Sequence, residues 1–184
     1  MFQLFYSLPL FYVVISIIII DILWGILYYI VLNKEREFSS TTRAIFNVLN
    51  TVIIILIIYA IFYSTLLSRS DYVDKVILTP FYSFLVAQTQ PEMYRSLLMN
   101  ITLFVPLGCS FSCILSKRIS YGTRIMLTSL LGCVLSVLIE LLQYFLKLGE
   151  MWTDDVICNV LGAFVGSLAI VIWKLYYLIN NKFY

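Results

Sequence analysis

Two acidic residues, Glu140 and Asp155, lie within or beside long apolar stretches and are the best candidates for chemistry in this sequence. Two carboxyl groups in different environments can divide the roles of general acid and general base. A charged acid inside a membrane span costs about 2.5–3.5 kcal/mol, so in such a span Glu140 is expected to pair with Arg69 or to take up a proton. The alternative is a structural role in which Glu140 holds helices together by hydrogen bonds.

Further polar side chains accompany both acids at helical spacing. Gln143 follows Glu140 by three positions and Asn159 follows Asp155 by four, so each pair shares one face of a helix. Asp154 and Asp155 open the last apolar stretch, where an acid also caps a helix and complements its dipole. Asn159 is interpreted first as a packing hydrogen bond and second as a ligand contact.

The residues that many hydrolases and metalloenzymes use are missing. The sequence has no histidine, which excludes Ser-His and Cys-His nucleophile pairs and His-ligated metal sites. We therefore expect no metal site and no cofactor, and a non-enzymatic role is favoured. The cysteines lie in apolar stretches without a C-x-x-C pair and are expected to be buried thiols; they are Cys109, Cys113, Cys133 and Cys158.

The composition is that of a membrane protein. Hydrophobic residues make up 62% of the 184 residues, charged residues 12%, and the mean hydropathy is +0.98. Soluble domains are about half apolar and about a quarter charged, so a soluble domain, a disordered chain and a secreted disulfide scaffold are excluded. The net charge of +2 is too small for a nucleic-acid partner. The expected partner is the lipid bilayer.

The elements that position these side chains are predicted to be about five transmembrane helices in an all-α bundle. Each of five stretches reaches the length of about 20 apolar residues that a span requires. The first of them contains Asp21, and it is too long for a signal peptide and lacks a cleavage pattern. The five stretches are Leu10–Leu32, Ala44–Leu67, Leu97–Leu115, Ile125–Leu146 and Val156–Ile179.

A shorter apolar stretch, Val76–Val86, lies between the second and third predicted helices and contains Thr79-Pro80. It is too short to span, so it either lies in the membrane interface or forms a re-entrant hairpin. We expect a single domain, in which two N-terminal helices in residues 1–68 precede a core in residues 69–179.

The distribution of lysine and arginine predicts the orientation. The positive-inside rule places the N-terminus outside and the C-terminus in the cytoplasm. Arg69, Asn100, Glu140 and Asp155 then converge on the outer leaflet. The predicted cytoplasmic side carries Lys34, Arg36, Arg43, Lys117, Arg118, Arg124, Lys174 and Lys182, against Arg69, Lys75, Arg95 and Lys147 on the other side.

Three blocks of the sequence follow one another in a characteristic order. They are Arg69 with Thr79-Pro80-Phe81; Asn100, Phe104, Pro106 and Gly108; and Glu140, Gln143, Asp155, Asn159, Gly162 and Gly166. Together they resemble the VanZ-like family of multi-pass bacterial membrane proteins, whose pattern N-x-x-x-F-x-P-x-G is matched between Asn100 and Gly108. The family usually has an acid where this chain has Trp152, and Asp154 is an additional acid.

The resemblance implies a protein of the bacterial cytoplasmic membrane. The family's best-known member lowers susceptibility to teicoplanin with little effect on vancomycin. The implied expectation is a polar cavity in the outer leaflet that engages a lipoglycopeptide or a lipid-linked cell-wall precursor. Gly108, Gly162 and Gly166 are expected to pack helices closely. The cavity set is Arg69, Thr79, Pro80, Phe81, Asn100, Pro106, Glu140, Gln143, Asp154, Asp155 and Asn159.

Two alternatives remain at this stage. In the first, the chain is an intramembrane enzyme that acts on a lipid-linked substrate, with Glu140 and Asp155 as acid and base or as ligands of a divalent cation. In the second, it is a structural membrane subunit whose polar groups only hold helices together.

Overall fold

A computed structural model describes residues 16, 19, 23–27, 30, 31, 38–67, 75–90, 92–115 and 118–180, without the side chains of 174–178 and 180. These residues are almost entirely helical. In chain order the elements are α1 (Ser40–Phe62, continued by a π-helical turn, Tyr63–Leu67), β1 (Val76–Ile77), α2 (Tyr82–Ala87), α3 (Glu92–Ile114), α4 (Tyr121–Leu146), β2 (Met151–Trp152) and α5 (Thr153–Asn180).

Four helices among the described residues are long and apolar enough to cross a membrane. They confirm the prediction of an all-α membrane bundle and four of its five predicted spans. The fifth predicted span, Leu10–Leu32, falls largely outside the described residues, as does Asp21. The four helices are Ser40–Leu66, Glu92–Ile114, Tyr121–Leu146 and Thr153–Trp173.

Local sequence signals begin and end these helices. The Ser39 hydroxyl accepts the Thr42 amide at 3.1 Å and the Ser120 hydroxyl accepts the Thr123 amide at 3.2 Å, which caps α1 and α4. At the other end of α4, Lys147 has a left-handed backbone with a φ of 55°. The Leu148 amide then donates to the Gln143 carbonyl at 2.9 Å, which closes the helix.

Glycines allow α3 and α5 to approach closely at the centre of the bundle. A Cβ at Gly162 would overlap the Ile101 carbonyl, and one at Gly166 would overlap the Val105 carbonyl. Gly108 packs in the same way against Ala163. Small residues at such contacts bring backbones together. The adjoining core consists of Ile54, Ile61, Phe104, Leu107, Ile139 and Ala163.

The stretch predicted to be interfacial or re-entrant is a short strand, a turn and a short helix. We call residues 76–87 the 76–87 segment. Val76 and Ile77 pair in parallel with Met151 and Trp152, directly before α5 begins. No strand was predicted here, because two-residue strands have no hydrophobic periodicity that would reveal them.

A buried asparagine that the sequence analysis missed connects three elements. The Asn50 amide donates to the Ser110 carbonyl at 3.0 Å and accepts the Trp24 indole N–H at 3.0 Å. Asn50 is fully buried. The helical residues 23–27 therefore pack against α1, and Gly25 lies against Trp173 of α5.

Arg124, counted above among the cytoplasmic cations, is buried inside the bundle. Its guanidinium donates to the carbonyls of Ser112 at 3.2 Å and Ile119 at 3.3 Å. A cation at the C-terminal end of a helix, here α3, complements the helix dipole.

Candidate functional site

Six of the predicted site residues are buried at one end of the bundle. We call it the polar end: the end at which α3 begins, α4 ends and α5 begins. Arg69 lies outside the described residues. The six residues are Asn100, Glu140, Gln143, Asp154, Asp155 and Asn159.

Asp154 anchors the turn that precedes α2. Its two carboxylate oxygens accept the backbone amides of Phe81, at 2.5 Å, and of Ser83, at 2.7 Å. Asp154 is 1% exposed, so these charge-assisted bonds are shielded from solvent. Phe81 has a left-handed backbone with a φ of 63°, a conformation that bulky residues rarely adopt. The additional acid of the sequence pattern therefore holds this turn.

Glu140 binds the backbone of the strand that leads into α5. Its carboxylate accepts the Trp152 amide at 2.9 Å. On the other side of this strand, the Met151 amide donates to the Lys75 carbonyl at 2.9 Å, and the Thr153 hydroxyl donates to the Ile77 carbonyl at 3.4 Å. The strand is thus held between Glu140 and the 76–87 segment.

The register of α4 against α5 brings Glu140 and Asp155 to the same level. The Asn159 amide donates to the Ser136 hydroxyl at 2.8 Å across the two helices. Glu140 lies one turn after Ser136 on α4, and Asp155 lies one turn before Asn159 on the antiparallel α5. Glu140 and Asp155, both buried, therefore lie at about the same level along the two facing helices.

Gln143 connects the polar end to α1. Its side-chain amide donates to the Thr65 carbonyl, in the π-helical turn, at 3.0 Å. Since a carbonyl only accepts, this bond fixes the orientation of the Gln143 side chain. Its Oε1 atom points elsewhere, is buried, and has no hydrogen-bond partner among the described residues.

Other polar atoms at this end share that property. Each buried atom without a partner costs about 1–3 kcal/mol, which water or a polar ligand group would recover. The polar end therefore has unused capacity for hydrogen bonding. Within the described part of the chain, the atoms are Ser83 Oγ, Asn100 Nδ2, Gln143 Oε1 and Asn159 Oδ1.

Charged and aromatic side chains surround the entrance to α5. Lys75 forms an ion pair with Glu150 at 3.6 Å and lies over the Trp152 ring at 5.9 Å. The Trp152 indole N–H donates to Glu150 at 2.9 Å, and its ring stacks on Tyr82 at 6.1 Å. Amphipathic rings of this kind are enriched where a protein crosses from lipid to water.

Some residues of the predicted cavity set lie apart from this cluster. Thr79, Pro80 and Phe81 have exposed side chains, and Phe81 reaches Asp154 through its backbone. Pro106 lies inside the continuous helix α3, about 9 Å along the axis from Asn100. Proline has no N–H group, so the Thr102 carbonyl lacks its usual helical donor.

The residues that the sequence analysis missed enter the site in two ways. Ser136 lies four positions before Glu140, and its helical spacing is a signal that was available. Trp152, Thr65 and Ser83 contribute backbone atoms, and backbone groups are the same in every residue. No residue type reveals such contacts.

The acids and thiols do not form a metal centre in the part of the chain that the structure describes. No group of three or more acidic or cysteine side chains there is placed to hold a metal ion. None of the four cysteines, all of them within the described residues, forms a disulfide; Cys109, Cys113 and Cys158 are buried and Cys133 is half-buried.

A family model described as VanZ/LLP1 matches residues 46–174 of the chain. This chain belongs to the VanZ-like family. The match begins within α1 and continues through Trp173 in α5, so it includes every described contact of the polar end. Together with the four apolar helices, it identifies a VanZ-like membrane protein. No curated protein and no solved structure matches the chain.

Proposed function

We propose that this VanZ-like membrane protein binds the polar head of an amphiphile at its polar end and thereby lowers susceptibility to teicoplanin. The observation that carries the proposal is the set of buried polar atoms without partners beside Glu140 and Asp155. A head group rich in hydroxyl and amide groups would supply donors to Gln143 Oε1 and a partner to Asn100. Burial makes such bonds selective, because a wrong ligand leaves polar atoms unsatisfied.

An acyl chain adds to this recognition. Outward faces of α3 and α4 next to the polar end are apolar; Leu98, Leu141 and Phe145 are among their exposed residues. A chain lying along them would contribute up to about 0.8 kcal/mol per buried methylene. Teicoplanin carries an acyl chain and vancomycin does not, so the pair of antibiotics tests the contribution of the acyl chain to binding. A lipid-linked cell-wall precursor has the same two-part chemistry.

The orientation predicted from the lysine and arginine distribution supports the proposal, because it puts this end where such ligands arrive. With the N-terminus outside and the C-terminus in the cytoplasm, the polar end lies in the outer leaflet of a bacterial cytoplasmic membrane. The proposal depends on this orientation, because a lipoglycopeptide acts from outside the cell.

A second candidate function is supported by the positions of Glu140 and Asp155, which lie at the same level along α4 and α5. Two buried acids at the same level of two facing helices are suited to act as acid and base on a lipid-linked substrate. Under this alternative, Glu140→Gln abolishes turnover while the lipid still binds.

A third candidate is a structural subunit. The bond from the Trp152 amide to Glu140 favours it, since it ties α4 to the start of α5. Here Glu140→Gln lowers the amount of protein in the membrane and leaves no specific phenotype at matched expression.

The deciding experiment measures teicoplanin and vancomycin susceptibility of a sensitive Gram-positive host that expresses the chain. The variants are wild type, Glu140→Gln and the control Glu92→Gln, which changes an exposed acid at the same end. We expect the wild-type chain and Glu92→Gln to lower susceptibility to teicoplanin selectively. Glu140→Gln, at an equal level in the membrane, is expected not to do so. If expression of the wild-type chain leaves the susceptibility of the host unchanged, the proposal is contradicted.

A further inference from the structure

The 76–87 segment presents its large apolar side chains away from the bundle. Leu78, Phe81 and Leu85 are each more than 60% exposed, and Val76 and Phe84 are also exposed. The side chains that face inward on α2 are small: Ser83 and Ala87 are 1% and 2% exposed. A short helix on a water-facing surface would have the opposite arrangement, with its large apolar residues inward.

The small residues explain how α2 is seated. Ser83 and Ala87 are four positions apart and therefore share one face of the helix. Their size lets the α2 backbone approach the bundle, and the Ser83 amide is bound by Asp154. The outward face is left with Phe84 and Leu85, which are exposed and belong to neither hydrophobic cluster of the described residues.

The contacts between this segment and α5 lie at the very end of the bundle. β1 pairs with Met151 and Trp152, Tyr82 stacks on Trp152, and the turn binds Asp154. These partners all belong to β2 or to the first turn of α5, which together are a stretch of only a few residues. The segment thus crosses the polar end and does not descend along α5.

Polar residues bound the segment on both sides. Lys75, in its ion pair with Glu150, precedes it, and the exposed Gln88, Thr89 and Gln90 follow it. Both ends of the segment are therefore suited to water, whereas the residues between them are suited to hydrocarbon. Leu98 near the start of α3 and Phe145 near the end of α4 are also exposed apolar side chains at this end of the bundle.

We infer that the 76–87 segment is an interfacial lipid anchor, whose large side chains enter the leaflet at the polar end while Asp154 holds its backbone. Amphipathic elements of this kind insert about 5–10 Å, to the boundary between head groups and acyl chains. The partner is the lipid of this leaflet. This selects the interfacial alternative over the re-entrant one, and it holds whether or not the polar end binds an amphiphile.

Photolabelling of the unmodified chain tests the inference. The chain is reconstituted in phosphatidylcholine/phosphatidylglycerol vesicles that contain a phospholipid with a diazirine either next to the glycerol or at the end of an acyl chain. Labelled residues are mapped by mass spectrometry. We expect residues 81–85 to react with the shallow probe only, the middle of α4 around Leu130 with the deep probe, and residues 88–90 with neither.

Each other pattern overturns the inference. If the deep probe labels residues 81–85 as strongly as it labels Leu130, the segment is re-entrant. Absence of labelling by both probes means that water or protein covers it.

Asp154→Ala tests the anchoring role separately. In this variant, labelling of residues 81–85 by the shallow probe is expected to fall to the low yield of residues 88–90. Labelling of Leu130 by the deep probe is expected to persist, which shows that the bundle is intact. Glu92→Gln, an exposed acid at the same end, is expected to retain the wild-type pattern. If residues 81–85 are labelled in Asp154→Ala as in wild type, while Leu130 labelling is intact, Asp154 does not anchor the segment.

Discussion

The carboxylate of Asp154 accepts the backbone amide of Ser83 at 2.7 Å, across 71 residues of sequence. A second oxygen of the same carboxylate accepts the Phe81 amide. One buried side chain thus holds the turn before α2 against the start of α5, beside the pairing of β1 with β2. Its neighbour Asp155 lies level with Glu140 instead.

Removing the Asp154 carboxylate is expected to destabilise the protein markedly. Hydrogen bonds to charged groups contribute about 1.5–3 kcal/mol each, and Asp154→Ala removes two of them. Asp154→Asn keeps one accepting oxygen and should fall between Ala and wild type. Thermal unfolding in detergent micelles measures the order, with Glu92→Gln as the control. An Ala variant as stable as wild type would contradict the anchoring role.

The backbone conformation of Phe81 gives a matched pair of variants. Phe81→Gly and Phe81→Ala both remove the ring, but only glycine adopts a φ of 63° without steric cost. Phe81→Gly is therefore expected to be more stable than Phe81→Ala by about 1 kcal/mol. Unfolding midpoints of the two purified variants, compared directly, check this. Equal midpoints would mean that the turn relaxes when the ring is removed.

Close packing of α3 on α5 predicts that alanine is not tolerated at its glycines. Gly162→Ala and Gly166→Ala place a methyl group on the carbonyls of Ile101 and Val105, and overpacking of this kind costs about 1–3 kcal/mol. Gly122→Ala in α4 is the control, because nothing lies within 4 Å of its added Cβ. Detergent stability should fall only in the first two variants, and a loss in Gly122→Ala would invalidate the comparison.

The hydrogen bonds of Asn50 predict a coupling between α1 and the helical residues 23–27. Asn50→Ala leaves the Trp24 indole N–H without its acceptor, at a cost of about 1–3 kcal/mol. Trp24→Phe removes the other partner. A double-mutant cycle on unfolding free energies should yield a non-zero coupling, whereas strict additivity would show that the bond contributes nothing.

The predicted orientation is checked by thiol labelling in cells. In a background without the native cysteines, Gln90→Cys should react with an impermeant reagent and Ser120→Cys should not. Both positions belong to connections between spans, and Gln90 is exposed. The reverse pattern would place the polar end on the cytoplasmic side and would exclude a site reached from outside.

Local features of the sequence determined the architecture. Five spans were predicted because a lipid environment requires about 20 consecutive apolar residues, and that length is visible in the chain itself; four of them are found among the described residues. The placement of Glu140 with Gln143, and of Asp155 with Asn159, follows from helical spacing, and each of these four residues is buried.

Only the tertiary structure decided what the polar groups bind. Asp154 and Asp155 are adjacent and identical in type, yet one holds a turn and the other lies level with Glu140 on the facing helix. The partners of Asp154 and Glu140 are backbone amides, which every residue but proline carries. The burial of Asn50 and Arg124 was unpredicted for a similar reason, since the carbonyls they bind have no sequence signature. Span length is a local property of the sequence, whereas these bonds depend on which distant segments the fold brings together.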